Sequence, residues 1–100
     1  MSSYVVMVDD NFNFMDESER TRDSEHATAD AAVARCKAIV DESLGLAVRN
    51  APEPMTAAQL LETFHHFGED PFVLAPPGAE RVAFNAWEYA RERAKEICGA

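Results

Sequence analysis

The chain opens on a near-continuous apolar run, Tyr4–Val8, rich in β-branched residues and closed by Asp9 and Asp10. Apolarity without alternation predicts a strand covered on more than one side. From Asp9 to Glu19, Asp9, Asp10, Asn11, Asn13, Asp16, Glu17 and Glu19 are interrupted by Phe12, Phe14 and Met15, which reads as a loop. Arg20–Glu25 is polar. It is a candidate second, solvent-facing strand, because the first strand needs a partner.

The period then changes from strand to helix. Ala32, Val33, Cys36, Ile39, Val40 and Leu44 fall on one helical face, with Thr28 placed as N-cap, Asp30 in the first turn and Gly45 as the expected stop. Arg49–Pro54 holds two prolines and is a connector. Thr56 and Gln59 form a capping-box pattern before a second helix, with Met55 and Leu60 placed for a hydrophobic staple. Its buried stripe is Leu60, Leu61, Phe64 and Phe67, and Gly68 ends it.

Glu69-Asp70-Pro71 predicts a turn into a short strand, Phe72–Leu74. Pro76-Pro77-Gly78 predicts a reversal, with Arg81–Phe84 returning as hairpin partner. A last helix starts at Asn85, with a Phe84–Tyr89 staple pair, a small inner face of Ala86, Ala90, Ala94 and Ile97, and Gly99 as its end. The order is β-(β)-α-α-β-β-α. This is an α+β fold, a small antiparallel sheet with about three helices, in one domain over residues 1–100.

Charge narrows the partners. The 100-residue chain carries a formal net charge of −9, and residues 1–30 hold eight acids against Arg20 and Arg22. Such a surface repels nucleic-acid phosphates and anionic membranes. A basic protein partner, a cation or a neutral ligand remains compatible with it. Cys36 and Cys98 have no metal-ligand or redox spacing, which suits packing cysteines in a reducing compartment. With no long apolar segment and no leader-like N-terminus, a cytoplasmic location is expected.

The acidic loop matches the first half of a calcium loop at Asp9, Asn11 and Asn13. It departs at Phe14, where the turn needs Gly, and at Arg20, where a bidentate Glu belongs, so an EF-hand is excluded. His65 and His66 are adjacent, about 100° apart on a helix, and cannot chelate as an i, i+4 pair. Trp87 and Tyr89 point to nearly opposite sides of their helix. No GxSxG, Cys/His or phosphate-loop signature is present. No catalytic residue, metal ligand or cofactor is therefore assigned.

The blocks VDDNFNFMDESER, FGEDPF and FNAWEYARERAKEI resemble those of a family of short, uncharacterised bacterial proteins that occur as standalone chains. The resemblance spans nearly the whole chain. It implies a single domain and no activity, cofactor or partner. Relative to that pattern Arg20–His26 is more polar, which counts against the second strand. The reading that follows is a non-enzymatic protein-interaction or regulatory module. Its contact residues would be Asp9, Asp10, Phe12, Phe14, Met15, Asp16 and Glu17, with Arg20 holding the loop. The alternative is a divalent-cation or small-ligand binding protein using the same loop, helped by His65 or His66. Partner identity, oligomeric state and strand order stay open.

Overall fold

The computed structural model describes residues 3–10 and 21–99, and of Asp10 and Phe67 the backbone alone. Strand β1 (Tyr4–Asp10) is the centre of a three-stranded antiparallel sheet, between β2 (Thr21–His26) and β3 (Glu69–Leu74). Helix α1 (Ala29–Asn50), α2 (Ala57–Phe67) and α3 (Ala86–Cys98) complete an α+β domain. The second strand exists despite its polarity, because the backbone hydrogen bonds of the apolar β1 must be met on that side.

At 22 residues α1 is about 33 Å long, and its two halves do different work. In the first half Ala32, Cys36 and Ile39 pack on Val6 and Val8 of β1. In the second half Val40 and Leu44 join Leu60 and Phe64 of α2 and the small stripe Ala86, Ala90 and Ala94 of α3. Alanines at i, i+4 and i+8 let α3 approach closely, since nothing longer than a methyl group stands between the backbones. Phe84 touches both clusters and joins them.

All three helix starts lie where local chemistry places them. The Thr28 hydroxyl accepts from Ala31 N–H at 3.1 Å. Thr56 and Gln59 exchange both capping-box bonds, at 3.1 and 3.0 Å. Asn85 Oδ1 accepts from the backbone N–H groups of Trp87 and Glu88.

Four boundaries differ from expectation. Helix α1 runs through Gly45 to Asn50, because Leu44 and Ala47 pack on either side of the glycine and outweigh its roughly 1 kcal/mol helix cost. It ends where Ala51, preceding Pro52, turns extended. Arg81–Phe84 forms no strand; β3 pairs with β1 instead, and Phe84 is drawn into the core. Glu69–Pro71 is strand and not turn, and β1 continues through Asp9 and Asp10 opposite it. Ile97 is 38% exposed, and Cys98 packs against the α-helical core in its place.

A bulge makes the sheet's main polar tie. The β1–β2 register passes from Val6↔Ser24 to Met7↔Arg22, leaving Asp23 as the extra residue on β2. An unpaired bulge residue can re-aim its side chain, and Asp23 takes a bidentate fork from Arg35 of α1, at 2.7 and 2.9 Å. The Arg35 hydrogen bonds hold the Asp23 carboxyl down at about 2, against the opposing effect of burial. A carboxyl lowered by folding adds stability above its usual value near 3.8 that is lost as pH falls through about 2. Arg35 is partly exposed, so screening trims the effect to about 1–2 kcal/mol. Acid unfolding followed between pH 5 and 2 should show this loss, and Asp23→Asn should abolish that slope.

Candidate contact site at the acidic end of the sheet

Strand pairing gathers acids that are far apart in sequence. In the β1–β3 register Asp9 faces Asp70 and Asp10 faces Glu69. Four acidic residues thus close one end of two neighbouring strands. Like charges directly opposite on paired strands are ordinarily destabilising. This one is also poorly hydrated, with Asp9 only 8% exposed. Burial, and then the Asp9 charge, push the Asp70 carboxyl up to about 6, while the indole N–H of Trp87 pulls in the opposite direction.

The aromatic side of this end comes from α2 and α3. His65 stacks on Trp87 with ring centroids 4.6 Å apart and planes at 29°. The Phe64 ring is tilted against His65 at 6.3 Å. On the other side of α3, Tyr89 O–H donates to Asp41 of α1 at 3.0 Å, and Arg93 Nε donates to the same carboxylate at 2.9 Å. Trp87 and Tyr89 therefore do point apart, each tied to a different helix.

Beside the acids an open groove of about 510 Å3 lies between α1, α2 and the start of β3. Ile39, Ala47 and Phe64 give it an apolar floor, Leu46 stands on its wall, and Glu42 and Glu69 are on its rim. Leu46 is 45% exposed, an apolar side chain turned to solvent at the groove. The groove's end is set by Gly68: a Cβ there would lie 2.4 Å from the Phe64 ring and 2.8 Å from the Phe64 carbonyl oxygen. Next to it the Ser43 hydroxyl of α1 accepts from Glu69 N–H at 3.4 Å.

Of the seven contact residues expected from sequence, only Asp9 has a described side chain, and it is buried in the sheet instead of exposed on a loop. Asp10 lies in β1, its side chain outside the description. Phe12, Phe14, Met15, Asp16 and Glu17 lie outside the described residues, as does Arg20. The structure brings Glu69, Asp70, Glu42 and Leu46 to this end, none of which was among the contact residues expected from sequence. The signal for the first two was present: an acid pair running straight into Pro-Phe-Val-Leu can open a strand as well as a turn. Among the described residues no three His, Cys, Asp or Glu side chains stand together as a metal-holding group. His65 is engaged in the Trp87 stack, and His66 lines a separate groove by the Pro52–Pro54 connector. Among the described residues no helix is long and apolar enough to cross a membrane. No family model, curated protein or solved structure matches the chain.

Proposed function

We propose that the chain is a small non-enzymatic interaction module of the cytoplasm, which takes a basic, amphipathic segment of a partner protein at the acidic end of its sheet. One observation carries the reading: a groove with an apolar floor has Glu42 and Glu69 on its rim, and Glu69 belongs to the acidic end where β1–β3 pairing sets Asp9 and Asp10 against Asp70 and Glu69. A buried apolar anchor with a charged rim is how such surfaces divide affinity from steering. A partner's apolar side chain would enter between Leu46 and Phe64, and its Lys or Arg residues would lie over Glu42 and Glu69. Arg35, also on the groove, is neutralised by Asp23, so the rim stays acidic. A reducing location fits Cys36, fully buried, its thiol pushed up to about 11 by burial and acting as a packing group.

The test is affinity capture from the native cell's lysate with wild type and with the E42Q/L46Q/E69Q variant as baits. All three side chains are exposed, so the fold should be kept. The wild type should retain a protein that elutes with salt, and the variant should hold it at least about tenfold more weakly. A peptide from that protein's basic segment should then shift the amide resonances of Leu46 and Glu69. Equal capture by both baits would overturn the groove. A third bait, D10N/D16N/E17Q, asks the same of the loop that the sequence singled out.

A further inference from the structure

The groove between α1 and α2 continues past the end of α1. A second open groove, of about 440 Å3, lies between α2 and the connector that follows α1. The two meet. Thr63 lines both, and the wall of the first ends at Asn50 of α1 where that of the second begins at Ala51. The Thr63 hydroxyl donates back to the Gln59 carbonyl oxygen at 3.0 Å, so the side chain at the junction is short and turned onto its own helix. Gln59, Glu62, Thr63 and His66 recur at i, i+3, i+4 and i+7, which lays one stripe of α2 along the second groove. Pro52, Pro54 and Met55 give that groove its apolar surface.

Charge has one sign along the whole track. Glu42 and Glu69 belong to the first groove, Glu53 and Glu62 to the second, and all four are exposed. Among the described residues Arg35 is the only Lys or Arg lining either groove, and Asp23 holds its guanidinium. Carboxylates flanking apolar surface in two successive places fit an occupant whose Lys or Arg residues lie between apolar side chains. Length then decides its conformation. From Arg35 to Asn50 the first groove follows about 22 Å of α1, which an extended chain covers in about seven residues. Beyond Asn50 the helix is over, Ala51 is extended and two prolines follow within three residues. A helical partner lying along α1 keeps one axis and leaves the track there, whereas an extended segment can follow the connector. We infer that the partner segment is an extended basic stretch of about ten residues, with one apolar anchor at Leu46 and Phe64 and a second at Met55 and Pro52, crossing between the grooves over Thr63. This rests on the contact reading above and adds the form of the partner. Each half binds weakly alone; joined, the second contact forms at the effective concentration set by the first.

The test titrates the full chain into labelled synthetic peptides and follows fluorescence anisotropy. One peptide is a ten-residue Lys/Leu stretch with a Leu near each end; the other is a five-residue half with a single Leu. The long peptide should bind at least about tenfold more tightly than the half, and it should shift the amide resonances of Met55 and Thr63 as well as that of Leu46. E42Q/L46Q/E69Q and E53Q/E62Q should each weaken the long peptide at least about fivefold. E80Q/E92Q removes the same charge from positions that line neither groove and should leave binding unchanged. A proline at the centre of the long peptide should be tolerated, because an extended chain accepts it and a helix does not. If E53Q/E62Q keeps full affinity while E42Q/L46Q/E69Q loses it, the second groove is unused; the inference falls and the contact reading stands. Loss of binding with the central proline makes the occupant helical and overturns the inference in the same way. Equal weakening by E80Q/E92Q means a general charge effect and overturns the track. If neither peptide binds, or binding ignores all three variants, the contact reading falls together with the form of its partner.

Discussion

Gly68→Ala is expected to lower the stability of this domain by about 2–3 kcal/mol, seen as a clear fall in the urea midpoint at unchanged slope. The reason is space and not backbone torsion. Gly68 sits at φ −78°, which any residue adopts. Its added methyl would stand 2.4 Å from a Phe64 ring carbon and 2.8 Å from the Phe64 carbonyl oxygen. A ring can turn aside, but the carbonyl belongs to the last turn of α2 and already accepts the Gly68 N–H at 2.9 Å. Relief must come from moving the α2–β3 junction, which the Ser43 contact and the β1 ladder both hold. Gly78 and Gly99 are the contrast, with positive φ and open space around them. Combining Gly68→Ala with Phe64→Leu should cost less than the sum of the two, since the smaller side chain removes part of the clash. Strict additivity would show that the two residues do not compete for that space.

Leu44→Ala should cost about 2–5 kcal/mol, a large share of the stability of a domain this size. Leu44 is fully buried in the second half of α1, in the cluster that joins α1 to α2 and α3. Truncation leaves a cavity that the small alanine stripe of α3 cannot fill, because Ala86, Ala90 and Ala94 have no longer side chain to move in. The loss should reach the sheet as well, since α1 spans both clusters and Phe84 bridges them. Fluorescence of Trp87 on α3 and far-ultraviolet circular dichroism should therefore report one coincident unfolding transition in wild type and variant. Separate transitions would mean that the sheet cluster and the helical cluster fold independently.

These expectations rest on features that were unequally legible in the sequence. The caps at Thr28, Thr56 and Asn85 could be read because a cap is decided within four residues. The inner faces of the helices followed from their period at most positions, with Ile97 the exception and Phe67 outside the described side chains. What failed was non-local. Gly45 looks like a stop until Leu44 and Ala47 are seen packing around it. Arg81–Phe84 looks like a hairpin partner until β1, some sixty residues earlier, claims β3. The candidate site suffers most from this. Asp70 reads as a turn residue before proline, and only the register of two distant strands sets it against Asp9. The groove beside it needs Leu46 to be exposed, which follows from the helix running on past Gly45. Charge clustering in the first thirty residues singled out Asp9 to Glu17, of which only the Asp9 side chain falls within the described residues.

The order of the strands also bears on self-association through strand edges. Its most adhesive stretch, Tyr-Val-Val-Met-Val, is the middle strand, with both rows of backbone hydrogen-bonding groups taken up by its own chain. The strands left at the margins are poor templates for a neighbouring molecule. One presents Arg22, Asp23 and Glu25 and is kinked by its bulge; the other begins with two acids and contains a proline that has no N–H to offer. A sheet that exposed β1 at its margin would invite strand addition and aggregation. Here the same sequence is confined to the interior, and any second chain reaching the acidic end meets side-chain charge before it meets an open ladder.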